Sequence, residues 1–126
     1  MAKMIPDIMP EIIGNRGERI FYEMARRLPD DYTVLYSYKY ALGEVQDPYN
    51  VREADFIILH ENYGFAVIEV KEGTVTYNNG VWYFIDGGQT VPMEKDPVEQ
   101  ARNAMFSIAK RYRNVYSQNY PLHFQF

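Results

Sequence analysis

Two apolar runs, Phe56 to Leu59 and Phe65 to Val70, flank a short polar segment that contains Asn62 and Gly64. The pattern predicts a β-hairpin, and no other stretch constrains the fold so tightly. With Glu61, Asn62 and Tyr63 as the loop, His60 pairs with Gly64, and counting outward sets Asp55 opposite Glu69. Directly opposed residues of a strand pair share a face of the sheet, and Lys71 falls on that face two residues beyond Glu69. A slip of one residue would turn Asp55 away, so the expectation is sharp.

Two opposed carboxylates have their Cβ atoms roughly 4.5–5.5 Å apart and repel one another. Compensation can come from a divalent cation, from a shared proton or from the Lys71 ammonium. Hard cations such as Mg²⁺ commonly take one or two carboxylates and keep several waters. The run from Phe65 to Val70 is almost wholly apolar and reads as a strand buried on both faces, where charges are costly unless paired or metal-bound. Asp55, Glu69 and Lys71 are therefore read as a metal site with a lysine beside it. An acidic residue two positions before a lysine is common on strands, so the apolar setting carries the reading more than the spacing does.

The length, 126 residues, fits one domain, expected over 11–126 behind a loose lead-in at 1–10 that contains Pro6 and Pro10. No apolar run approaches the length of a membrane span, and the opening residues lack a secretory apolar segment. The absence of cysteine excludes disulfides and thiolate metal sites and fits a reducing, cytoplasmic setting. A formal charge of −4 argues against a protein that holds nucleic acid by a global positive field. It leaves open an enzyme that meets phosphate through a metal, because the ligands themselves belong to the negative count. Local basic residues, Arg16, Arg19, Arg26 and Arg27 early and Arg102, Lys110, Arg111 and Arg113 late, read mostly as solvated helix faces.

In chain order, Ile13, Gly17, Ile20, Phe21, Met24 and Leu28 recur at helical spacing from Glu11 until Pro29 stops the run. Gly17 removes a side chain where this helix could approach a sheet closely, although glycine weakens a helix by about 1 kcal/mol relative to alanine. Glu18 flanks the stripe; periodicity favours its edge facing water over a cleft. Thr33 to Tyr40 reads as a strand and Gly43 to Arg52 as an exposed loop. Thr74 to Tyr77 and Val81 to Ile85 flank Asn78-Asn79-Gly80, a strong hairpin signal because a type I′ turn needs positive φ at both central residues. A turn at Asp86-Gly87-Gly88 leads to a short strand near Gln89, completing an antiparallel meander with Trp82 packed on one face. Asp96, Pro97 and Glu99 match a helix cap, first turn and capping box. The core stripe that follows is Val98, Ala101, Met105, Ile108, Tyr112 and Val115. Gln100 lies off it, either solvated or aimed at a site near the helix N-terminus. Leu122 to Phe126 looks like the start of another strand, the ending expected of a fragment whose next elements complete the sheet. His60 faces away from Asp55 and His123 sits near the end, so neither builds a zinc site.

Taken together, Gly17-Glu18, Glu53-Ala54-Asp55-Phe56, Gly64, Val67-Ile68-Glu69-Val70-Lys71, Trp82 and Asp96-Pro97-Val98-Glu99-Gln100-Ala101 resemble the nuclease-related domain, NERD, of the PD-(D/E)XK, restriction-endonuclease-like superfamily. The likeness runs from about Gly14 to the C-terminus. It implies an α/β fold with a restriction-endonuclease-like core, a mixed central β-sheet with an N-terminal helix and a later helix packed on it. It implies that Asp55 is the acid of the first hairpin strand, and that Glu69 and Lys71 are the acidic-x-lysine motif. It also assigns Glu18 as the helical glutamate and Gln100 as the glutamine of the following helix. The proline of the superfamily motif does not precede Asp55, a departure common in that superfamily. The implied activity is metal-dependent hydrolysis of phosphodiester bonds of nucleic acid, with DNA the expected substrate. Asp55, Glu69, the Val70 carbonyl and Glu18 are expected to hold Mg²⁺ or Mn²⁺, Lys71 to orient or deprotonate water, and Gln100 to position water, phosphate or the lysine. Two other readings stand beside it: a non-cleaving nucleic-acid-binding or partner-interaction module, and a structural domain in which Lys71 merely pairs with the acids.

Overall fold

The computed structural model describes residues 1–41, 51–115 and 124–125. In chain order the elements are β1 (Lys3–Ile5), a 3-10 turn (Pro10–Ile12), α1 (Arg16–Arg26), β2 (Tyr32–Ala41), β3 (Val51–His60), β4 (Gly64–Ile68), β5 (Thr74–Asn78), β6 (Val81–Asp86), β7 (Gln89–Pro92), α2 (Pro97–Val115) and β8 (Phe124–Gln125). The larger sheet has the order β1-β2-β3-β4-β8, and β5-β6-β7 form a smaller one. The larger sheet is mixed: β2, β3 and β4 run antiparallel, while β1 joins β2 and β8 joins β4 in parallel.

The two helices cover opposite faces of the larger sheet, as strand alternation requires. Val34, Phe56 and Ile58 pack with Tyr22 and Ala25 of α1. Their sequence neighbours Leu35, Ile57 and Leu59 pack with Ala104 and Met105 of α2. Phe56 and Ile57 are 0% and 2% exposed, one in each core, and burial of each contributes about 1.5–3 kcal/mol. Asn15 caps α1, its Oδ1 accepting from the Glu18 N–H at 3.0 Å. Asp96 caps α2, accepting from the N–H groups of Val98 and Glu99 at 2.8 and 3.2 Å. The Glu99 carboxylate turns to Arg102, 2.9 Å away, on the helix surface.

Several sequence expectations are met and others corrected. The hairpin loop at residues 61–63 and the pair His60–Gly64 occur as expected. The smaller sheet is the expected meander, with Asn79 and Gly80 at φ 51° and 82° in its first turn and Trp82 packed on Tyr77 at a ring separation of 5.0 Å. The supposed lead-in is partly ordered into the sheet as β1, with Ala2, Met4 and Pro10 buried, because alternating apolar residues there meet the edge of β2. The first helix begins at Arg16 rather than Glu11, since Asn15 supplies the cap. Its core stripe is rotated: Ile20 and Met24 are 46% and 60% exposed, while Tyr22 is fully buried. Tyr22 suits that position because its hydroxyl donates to the Pro6 carbonyl at 2.9 Å and accepts from the Ile8 N–H at 3.1 Å. Val98 is exposed rather than core, and Arg52 belongs to β3 rather than to a loop. Residues 42–50, the side chains of Tyr112 and Val115, and most of the expected last strand lie outside the described residues.

Candidate active site

The ladder between β3 and β4 runs from His60–Gly64 to Phe56–Ile68 and stops one step before Asp55 and Glu69. β4 ends there, and the freed Val70 N–H donates to Asp55 Oδ2 at 2.9 Å. The ladder between β2 and β3 is interrupted at the same level: Tyr36 pairs with Phe56 and Tyr38 with Ala54, while Ser37, between them, has φ 55°. Both strands shift their alternation here. Tyr36 and Phe56 belong with α1, whereas Tyr38, Tyr40 and Ala54 belong with the α2 core. A regular strand would have sent these residues to the same face as their neighbours two positions away.

Asp55 sits at this break, between groups that reach it from both sides. Glu69 and Asp55 come within hydrogen-bonding reach, and burial followed by the Asp55 charge pushes the Glu69 carboxyl up to about 8. Lys71 opposes that shift, so its ammonium acts on Glu69. It is nevertheless exposed and forms no ion pair among the described residues. Glu18 approaches Asp55 from α1. Its own carboxyl is also raised, by burial first and further by the Asp55 charge, against the lowering effect of a hydrogen bond from Tyr36. The Tyr36 hydroxyl donates to Glu18 Oε2 at 2.9 Å, and burial together with that bond pushes the phenol up to about 12. The periodicity-based expectation that Glu18 faces water is thus corrected: it is half-buried and turned toward Asp55.

Gly17 allows this approach. A Cβ at Gly17 would lie 3.2 Å from both Val70 Cγ1 and Glu72 Cβ, the segment that carries Glu69 and Lys71. The close approach expected of this glycine is therefore present, though it is made to the stretch just beyond β4 and not to a strand of the sheet.

Glu69 opens onto a cleft of about 790 Å³ between the sheet and α2, lined also by Tyr40, Arg52, Glu53, Lys95, Gln100 and Asn103. Gln100 Oε1 is buried there without a hydrogen-bond partner. Gln100 is thus not the solvated surface residue that its place off the apolar stripe allows. Burial of Tyr40, with the nearby Glu69 charge, raises its hydroxyl as well.

Of the five singled-out side chains, Glu18, Asp55 and Glu69 thus converge, Lys71 acts on Glu69 from solvent, and Gln100 shares the α2-side cleft with Glu69. Among the described residues no three His, Cys, Asp or Glu side chains gather closely enough to hold a metal between them. The donor chemistry that fits a divalent ion is the Asp55–Glu69 pair, since Mg²⁺ needs only one or two carboxylates and completes its shell with water. Sequence reasoning missed Tyr36 and the interruption at Ser37. An aromatic strand residue gives no sign that its hydroxyl anchors a carboxylate, and serine carries no marker for positive φ.

No curated protein and no solved structure matches the chain. The sequence profile described as NERD, nuclease-related domain, matches residues 13–124, nearly the whole length and every residue of the cluster around Asp55. The protein belongs to the nuclease-related domain family.

Proposed function

We propose that this domain is a Mg²⁺- or Mn²⁺-dependent nuclease that hydrolyses phosphodiester bonds of nucleic acid, with DNA as its substrate. The observation that carries the reading is the Asp55–Glu69 pair: two carboxyl groups crowded together at a break in the sheet, with Lys71 acting on Glu69 from solvent but forming no ion pair with it. A purely structural cluster gains nothing from that crowding. A divalent cation offsets it.

In this reading Asp55 and Glu69 would hold the ion, with the Val70 carbonyl and Glu18 beside them. When bound, the ion supplies Lewis acidity toward the phosphoryl oxygen and a more acidic water. The Val70 N–H holds the Asp55 carboxylate in place. Glu69, whose carboxyl is raised to about 8, would have to be deprotonated to serve as a ligand, which would couple metal uptake to pH. Lys71 orients or deprotonates the attacking water and offsets charge that builds on the phosphate. Gln100 positions water, phosphate or the Lys71 ammonium. An overall charge of −4 suits a protein whose grip on phosphate depends on the ion.

Plasmid nicking tests this directly. Purified protein is expected to convert supercoiled plasmid to open circles with Mg²⁺ or Mn²⁺ and not with EDTA. Binding of DNA without any cleavage under these conditions would support the non-cleaving module instead.

A further inference from the structure

The cleft beside Glu69 has a composition that the cleavage reaction alone does not call for. Apart from Glu69, which belongs to the pair with Asp55, and Glu99, engaged by Arg102, its lining sets two carboxylates, Glu53 and Asp96, against two cations, Arg52 and Lys95. That balance gives the cleft little net pull of its own on a phosphate backbone. It does offer what a flat, neutral, hydrogen-bonding ring needs. Phe106, on α2, lines the cleft yet leaves 58% of its surface exposed, an aromatic face with room for a stacking partner. One turn earlier Asn103 presents an amide to the same space. Gln100 Oε1, one turn deeper, is a buried acceptor without a donor, an arrangement that a ligand's N–H group would relieve. The volume, about 790 Å³, lies within the range of small-molecule sites and accommodates a base with its sugar.

We infer that this cleft receives one unpaired nucleobase adjoining the scissile phosphate, stacked on Phe106 and hydrogen-bonded by Asn103 and Gln100. The inference rests on the nuclease reading of Asp55 and Glu69 and names the form of the substrate. A base held in a duplex has both faces stacked and its edge paired, so it cannot enter. The preferred substrate is accordingly a single strand or an unpaired end. Phe106 sets this preference and takes no part in the chemistry at phosphate.

The test compares wild-type protein with Phe106→Ala, an exposed position whose truncation leaves both cores intact. Steady-state cleavage is measured on a single-stranded oligonucleotide, on its duplex, and on the strand carrying one abasic site beside the mapped cut. Base stacking on an aromatic side chain predicts a KM for the intact single strand about tenfold lower than for the duplex. Phe106→Ala raises that KM by about tenfold with little change in kcat, and has no further effect on the abasic strand. Equal cutting of duplex and single strand by the wild type, or an equal penalty of Phe106→Ala on intact and abasic strands, overturns the inference. If the wild type cuts no substrate, the nuclease reading fails by itself. Equilibrium binding of the intact and abasic strands then decides the subsite: a Phe106-dependent preference for the intact strand supports it, and equal affinities overturn it.

Discussion

At the hairpin end of β3, His60 is buried at 8% exposure and its ring nitrogens are both met. Nε2 lies 2.6 Å from Asp31 Oδ2, Nδ1 accepts from the Asn62 N–H at 3.0 Å, and the ring lies between Tyr32 and Tyr63 at 4.5 and 4.4 Å. Five residues earlier on the same strand, Asp55 meets two further carboxylates and a broken ladder, and the neighbouring Glu69 shares its cleft with an amide oxygen that has no partner. One strand thus carries a buried histidine and a half-buried aspartate under opposite terms. The His60 end resolves its polarity internally, which is what a structural cluster does. At the Asp55 end the Val70 N–H meets one carboxylate oxygen, yet acids remain crowded together and the Gln100 amide oxygen is unmet, which is the condition expected where a ligand completes the site.

Substitutions can break this contrast or sharpen it. The largest expected effect is Lys71→Ala, which should lower the nicking rate by at least about 100-fold while leaving thermal unfolding unchanged, because the side chain is exposed. His60→Ala should do the reverse, reducing stability by roughly 1–3 kcal/mol in denaturant titrations and sparing cleavage. If Lys71→Ala unfolds the protein, or His60→Ala abolishes cutting, the division between the two ends of β3 is wrong.

The next effect concerns pH. Because the Glu69 carboxyl is raised from 4.5 to about 8 in the folded protein, it favours folding when protonated. That stability is fully present below the unfolded value and is lost as pH rises through the folded one. Metal-free protein should therefore lose thermal stability between about pH 4.5 and 8, and Glu69→Gln should flatten the decline. A melting temperature that rises across this window in the wild type alone would place the uncompensated charge elsewhere. The smallest effect belongs to Tyr36→Phe, which keeps the ring packing against Phe56 and Tyr22 but removes the hydrogen bond to Glu18. Mn²⁺ affinity, read by calorimetry, is expected to fall by about tenfold with near-normal stability.

The sequence disclosed the hairpin end of this contrast more fully than the broken end. Paired apolar runs around Asn62 and Gly64 define a register, and Asn79-Gly80 defines another, because tight turns and two-residue alternation are local properties. The cap at Asp96 is local for the same reason. The shift at Ser37 is not, since it depends on how β2 and β3 leave each other opposite Asp55. Tyr36 and Tyr40 share strand parity yet end in different cores, an outcome that alternation alone forbids. In α1, Ile20 and Met24 look like core by hydrophobicity, but the buried position went to Tyr22 because Pro6 and Ile8 supply partners for its hydroxyl. Glu18 and Gln100 are candidates only through family resemblance, since periodicity sees only that they lie off an apolar stripe.

The central claim is that Asp55 and Glu69 together make a seat for a divalent ion. Titration calorimetry with Mn²⁺ near pH 7, repeated in buffers of different ionisation enthalpy, tests it most directly. The account predicts uptake by the wild type with release of about one proton per ion, since Glu69 is largely protonated until the ion arrives, and loss of uptake in Asp55→Asn and Glu69→Gln. No uptake by the wild type, or uptake that both variants retain, would contradict it.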